Sequence, residues 1–303
     1  MAGLPSVRVL LATFNGDRWL AEQLASLSTQ VGVRVSVVAS DDSSTDGTVA
    51  MLEAAARPGS FVVLPPSAMR FGNAQRNFMR LIRDTPLQDV DHVALADQDD
   101  IWLPQKLARA VEVLRATGAD AYGCNAIAFW PDGRRKALVK SQPQRRDDHL
   151  FESAGPGCSF VFTRAAFVEL QDWVRANFDA LQAIKVHDWL LYAFVRERGR
   201  RWVIDDAFTI LYRQHERNEA GANTGWRAAR VRLRNLFDGR FRVDALAIGA
   251  IVGARNEVLA RLQRFSLADR LWLALHAREF RRAFRDAVAL AAMFLVMTRR
   301  QAT

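Results

Sequence analysis

Three carboxylates fall within four positions at Asp97, Asp99 and Asp100, directly after the apolar run 93–96. Like charges this close raise one another's pKa and repel unless a cation sits among them. A hard divalent ion takes oxygen ligands, and Mg²⁺ or Mn²⁺ commonly uses one or two carboxylates together with substrate phosphates. An acidic turn that caps a helix has the same spelling, so the residues alone leave both readings open. A second acidic pair, Asp41-Asp42, stands before Ser43-Ser44. Such a pair accepts from a base N–H or a ribose hydroxyl, or closes an Asx-turn. Asp188, between His187 and Trp189 near the start of an apolar helix, reads from its position as a helix N-cap. His215 sits in a polar loop with Arg213 and Arg217, where it serves as a metal ligand or as a hydrogen-bonded structural residue.

The elements that must position these groups alternate. Residues 7–13 read as a strand ended by the Asn15-Gly16 turn. Asp17 is then the expected cap of a helix to about Gln30, with Trp19, Leu20, Gln23, Leu24 and Leu27 on one face. Residues 33–40 form a second strand, 48–56 a helix, 61–64 a third strand, 73–83 a helix and 91–96 a fourth strand. Pro104 opens a helix to Leu114. Alternation of this kind builds a mostly parallel α/β sheet flanked by helices, which binds ligands at the carboxyl ends of its strands. Both acidic clusters fall there. Further on, 122–130 reads as a strand, 134–148 as a polar loop, 173–198 as mostly helix, and 201–204 and 208–212 as two short strands.

Bulk properties narrow the class. The 303 residues carry a net charge of +9, and half are hydrophobic. From Trp226 onward there are 16 Arg, no Lys and 6 acidic residues, which is +10, while residues 1–225 carry −1. The expected organisation is therefore a catalytic domain over 1–225 and a basic α-helical C-terminal region over 226–303. A Ser266–Asp269 capping box starts a helix near Leu267, and Arg278, Arg281, Arg282 and Arg285 fall on it as one basic stripe. That stripe suits an anionic membrane surface or a homodimer contact. Nucleic acid is not expected, because acidic pairs at strand ends repel phosphate. Cys124 and Cys158 form no CxxC, so neither a zinc site nor a disulfide framework is indicated. No apolar stretch reaches 18 residues and the start lacks a signal-peptide pattern, so the expected location is the cytoplasm, or the inner face of the cytoplasmic membrane.

Four motifs come in order: VLLATFNGDRWLAEQLASLSTQ, VVASDDSSTDGT, LADQDDIWLPQKL and, later, IKVHDWLLY with YRQHERNEAGAN. Together they resemble family 2 glycosyltransferases of the A-type, Rossmann-like fold, over about residues 7–225. The last two are most similar to bacterial rhamnosyltransferases of cell-surface polysaccharide assembly. The resemblance implies an inverting, metal-dependent transfer from a nucleotide-diphosphate sugar to a saccharide or lipid-linked acceptor. It implies L-rhamnose from dTDP-rhamnose, with a UDP-hexose or UDP-N-acetylhexosamine donor as the alternative. By the same resemblance Asp188 is the catalytic base, and Asp99, Asp97 and His215 hold Mg²⁺ or Mn²⁺. Thr13, Asn15, Asp41, Asp42, Arg76, Asp97, Gly157 and Arg213 line the nucleotide-sugar site, Asp42 with Asp41 beside it being the acid at the base or ribose and Arg70 another candidate cation. Trp102, His187 and Trp189 are the acceptor candidates, against a core-packing reading of Trp102. Asp100 is expected to cap the turn before Pro104.

Overall fold

The computed structural model describes residues 3–67, 70–216 and 239–297. It divides into two compact units, one of Met1–Ser141, Gly155–Asp188 and Gly199–Gly221, the other of Gln142–Ala154, Trp189–Arg198 and Ala222–Thr303. The second unit thus includes two segments from inside the expected catalytic region. Arg217 lies outside the described residues.

The first unit is built on a mixed sheet. Its strands are β1 (Ser6–Thr13), β2 (Arg34–Asp41), β3 (Phe61–Val63), β4 (His92–Asp97), β5 (Ile101–Trp102), β6 (Ala121–Phe129), β7 (Arg135–Leu138), β8 (Val161–Thr163) and β9 (Trp202–Arg213). The order is β3-β2-β1-β4-β8-β6-β9-β5, with β7 paired to β6. β1 is flanked by parallel β2 and parallel β4, with Thr13 opposite Asp41 and Ala12 opposite Asp97. The chain reverses its direction of travel across the sheet at β1, and ligand crevices open at such points. Register therefore brings both acidic clusters to one edge. β1 and β4 are buried on both faces, which is why they read as continuous runs of Val, Leu and Ala rather than as alternation. Helices α1 (Asp17–Ser28), α2 (Thr48–Ala55), α3 (Ala74–Asp84), α4 (Lys106–Thr117) and α5 (Arg164–Leu181) complete the layers. Helix α6 (His187–Glu197) begins in the first unit and continues in the second.

Several expectations change. Residues 134–148 are not all loop, because β7 pairs with β6 through Phe129–Arg135 and Ala126–Leu138. Its residues Arg135, Lys136 and Ala137 are exposed, as an edge strand with charged side chains should be. The two short strands after Arg201 are one, β9, with a register shift against β6 between Cys124 and Ile127. Asp17 is the first helical residue rather than the cap of α1; Gly16 occupies the N-cap without a side-chain bond.

The second unit contains α7 (Arg240–Val252), α8 (Glu257–Arg264), α9 (Leu267–Leu275), α10 (Ala277–Phe280) and α11 (Phe284–Val296). Its core stacks Phe151 on Phe280 at 4.6 Å, with Phe294 edge-on to both. The Ser266–Asp269 capping box forms as read. The basic stripe does not, since α9 ends at Leu275 and the four arginines fall on three different segments. Arg282 turns inward, 3.1 Å from Asp148 and 3.5 Å from Glu152. Among the described residues no helix is long and apolar enough to cross a membrane.

Candidate active site

The loop after β1 is fastened to both neighbouring strand ends. Thr13 donates its hydroxyl to Asp41 Oδ1 at 2.9 Å, and the Asn15 N–H reaches Ser44 Oγ at 2.8 Å. Asn15 adopts φ +45°, a left-handed conformation that asparagine tolerates, and its Oδ1 accepts the Thr45 N–H. On the other side Gln98 pairs with the Phe14 backbone twice, accepting its N–H and donating to its carbonyl, both at 2.8 Å. A Cβ at residue 16 would come within 2.2 Å of that Gln98 amide, so the Asn-Gly turn requires its glycine on steric grounds.

At the end of β2 the two acids differ in employment. Asp41 is partly exposed and also accepts from the Ser44 N–H and hydroxyl, the Asx-turn expected from sequence. Asp42 is only 2 % exposed and accepts the backbone N–H groups of Phe71 and Gly72. Asp42 therefore fastens the loop after β3, and Asp41 is the one left toward the crevice. The loop carries Arg70, whose half-exposed guanidinium lies 4.0 Å over the Phe14 ring and 4.0 Å from Asp42. Arg76 does not join this group. Its Nε and Nη2 donate to the Gln182 carbonyl and its Nη1 to the Phe71 carbonyl, so it ties α3 to the end of α5. Arg70, not Arg76, lies beside the loop after β1.

At the end of β4, Asp99 Oδ2 lies 2.7 Å from His215 Nε2. The imidazole stacks on Trp19 at 3.9 Å and 11°, held there by a residue of α1 that its periodicity marks as core. Arg213, the last residue of β9, donates Nε to the Asp99 carbonyl and its backbone N–H to Asp100 Oδ1, and it pairs with Glu22 at 3.1 Å. Asp100 does not cap the turn before Pro104. It is fully buried, and its Oδ2 has no hydrogen-bond partner. Burial first, then Asp99 and Asp97, push its carboxyl well above the usual range. Burial likewise lowers Lys106 to about 8. Its Nζ lies 3.5 Å over the Trp102 ring, and Trp102 is 1 % exposed. The Trp102 ring is therefore core, and the acceptor role expected for it has no exposed face to rest on.

Ligand atoms of Asp97, Asp100 and Cys158 lie within 4.8 Å of one another. Burial and the neighbouring Asp100 push the Cys158 thiol up, so it remains S–H. A thiol suits a hard cation poorly, whereas the carboxylates of Asp97 and Asp100 are oxygen donors. The same motif offers Asp97 and Asp99 as oxygen donors, and His215 lies 2.7 Å from Asp99.

The residue beside Cys158 links this motif to the candidate base. A Cβ on Gly157 would stand 2.3 Å from His187 Nε2, so the imidazole lies directly on the glycine. His187 also packs on Phe78 at 4.4 Å, and burial lowers its pKa to about 4. A neutral ring wedged between Gly157 and Phe78 fixes the start of α6, where Asp188 follows in the first turn. The positive end of the helix favours a carboxylate there. His187 is partly exposed and directly precedes Asp188 at the start of α6. Trp189 lies in the second unit, 7 % exposed, with its indole N–H donated to the His149 carbonyl. Sequence reasoning missed Gln98 and Trp19; Gln98 lies within the acidic motif itself, and its clash with the Asn-Gly turn is visible only in three dimensions.

Comparison with known proteins agrees with this arrangement. The profile of Glycosyl transferase family 2 matches residues 8–168. The chain is 37 % identical to dTDP-rhamnosyl transferase RfbG of Shigella flexneri over 94 % of its length and 99 % of that protein. It is 25 % identical to the succinoglycan biosynthesis protein ExoO of Rhizobium meliloti, over 70 % of this chain and 62 % of that one. In fold it is similar to S. aureus TarS 1–349 in complex with UDP-GlcNAc, at TM-score 0.59 and 13 % identity, covering 94 % of this chain and 79 % of that one. The mannosyltransferase PcManGT of Pyrobaculum calidifontis, solved with GDP-Man and Mn²⁺, superposes at TM-score 0.51 and 16 % identity, over 96 % and 85 %. With its acidic motifs gathered at the carboxyl edge of an A-type sheet, and with a relative matched along nearly the whole chain, this protein belongs to glycosyl transferase family 2 and is a glycosyltransferase.

Proposed function

We propose that the enzyme transfers L-rhamnose from dTDP-rhamnose to a saccharide or lipid-linked acceptor in bacterial surface-polysaccharide synthesis. The carrying observation for the sugar is the 37 % identity, over almost the entire chain, to a dTDP-rhamnosyl transferase. For the reaction it is the convergence of Asp41, Asp99 and His215 on one crevice edge.

Asp41 accepts from the thymine N3–H or a ribose hydroxyl, and its own Ser44 and Thr13 donors hold its carboxylate in place. Arg70, pinned over Phe14, answers the negative charge of the diphosphate. Asp97, Asp99 and His215 would hold Mg²⁺ or Mn²⁺, which neutralises charge on the departing diphosphate. Asp188 accepts the proton of the acceptor hydroxyl. That oxygen bonds to the anomeric carbon as the carbon–oxygen bond to the diphosphate breaks, and dTDP leaves with the electron pair. In-line attack inverts the anomeric centre. A positioned base of this kind contributes about 10²–10⁴-fold.

The test is a donor screen by calorimetry and by nucleotide release, with Mg²⁺ or Mn²⁺ present. We expect binding and turnover with dTDP-rhamnose and none with UDP-hexoses. Preference for a UDP-sugar would overturn the rhamnose assignment and leave the enzyme class standing.

A further inference from the structure

The second unit holds a depression of about 720 Å³ whose walls include Arg145, Arg278, Arg282 and Arg285, beside Phe284 and the carboxylate of Asp286. These arginines are not alike. Arg282 is 3 % exposed and its Nη groups are matched to Asp148, Glu152 and the Ser153 carbonyl, yet its Nε is buried without a hydrogen-bond partner. Arg145 Nε is likewise buried and unmatched. Arg278 and Arg285 are exposed, and neither they nor Arg145 forms an ion pair among the described residues. Helix α11 begins in the same wall at Ala283 and Phe284, and no side chain caps that end. An uncapped helix N-terminus adds partial positive charge. The site is therefore built for an anion with several oxygens.

The surroundings say what carries that anion. Phe284 is 66 % exposed, and Val288 and Leu295 follow on the same face of α11. On α9, Leu267, Leu271 and Leu275 are exposed at i, i+4 and i+8, Leu275 by 82 %. Soluble anions need no such rows, whereas an interfacial helix presents apolar residues to the acyl boundary and arginine to the headgroups.

We propose that this part of the second unit docks on an anionic phospholipid membrane, with a lipid phosphate in the arginine-lined depression and Phe284, Val288 and Leu275 entering the interface. The test is sedimentation of the full chain with vesicles of phosphatidylcholine alone or mixed with phosphatidylglycerol. Each basic residue near an anionic surface multiplies partitioning about fivefold, so three free arginines should favour the mixed vesicles by roughly 100-fold, less in high salt. The Arg278→Glu/Arg285→Glu variant should lose that preference, with thermal stability and turnover of a soluble acceptor unchanged. Leu275→Ser/Phe284→Ser should weaken binding to both vesicles. Equal partitioning of the wild type on the two would overturn the proposal. Stabilisation by inorganic phosphate with no vesicle binding would replace it by a soluble-anion site. A dimer broken by Leu275→Ser/Phe284→Ser, again with no vesicle binding, would replace it by self-association. Donor turnover in solution reads the sugar assignment separately from all of these outcomes.

Discussion

The two acidic strand ends have similar spellings and opposite electrostatics. After β2, donors surround the carboxylates: Asp41 accepts from Thr13 and twice from Ser44, and Asp42 from two backbone N–H groups. After β4, Asp99 pairs with His215 and Asp100 is fully buried. Asp100 receives the backbone N–H of Arg213 and lies beside the Cys158 thiol. The first cluster is neutralised by the protein and can present a fixed acceptor to a neutral base or ribose. The second crowds acids so closely that Asp99 and Asp97 add to burial in pushing the Asp100 carboxyl up. Each cluster also divides its labour, one acid buried as a fastener and another facing the crevice.

The sharpest way to break this comparison is Asp99→Ala. We expect turnover to fall by at least about 10³-fold, with the circular dichroism spectrum and melting temperature preserved, since Asp99 touches the crevice rather than the core. Persistent turnover in chelator-treated enzyme would end the assignment of cation need to β4. Next in size is Asp42→Asn. The two N–H groups bond to different oxygens, so the new amide nitrogen would face one of them, and the orphaned donor should cost about 1–3 kcal/mol, read as a lower urea midpoint. The cations sharpen the division. Arg70→Ala should raise the donor KM roughly tenfold, the worth of one exposed charge-assisted contact, with stability unchanged, while Arg76→Ala should lower stability and leave KM alone. The smallest effect is expected for Asp100→Asn near pH 4, within about 1 kcal/mol, because burial and the neighbouring acids favour the uncharged carboxyl that the amide mimics. Its folded pKa is raised, so its contribution is complete below the unfolded value of 3.8 and is lost as pH rises through the folded one. Urea midpoints measured upward from pH 4 should therefore decline less in Asp100→Asn than in the wild type.

The sheet and the placement of both acidic motifs were legible because they rest on local signals: apolar runs, a turn dipeptide, a capping box. β7 was not, because a charged edge strand has no apolar face to announce it. The arginine stripe failed for the opposite reason. Perfect helical spacing was present, but the break after Leu275 sends Arg282 into a buried cluster with Asp148 and Glu152, partners about 130 residues earlier that no local pattern reveals. The same holds for Arg76, whose acceptors on Gln182 and Phe71 are backbone carbonyls, and for the choice between Asp41 and Asp42, which depends on a loop folding back 29 and 30 residues later.

Residues 16 and 98 cannot vary independently. Any side chain at 16 displaces the Gln98 amide, and a displaced Gln98 releases the two bonds that hold Phe14. Any substitution that enlarges residue 16 or shortens residue 98 therefore frees Phe14. The turn after the first strand and Gln98 thus behave mechanically as one piece, although about eighty residues of chain separate them.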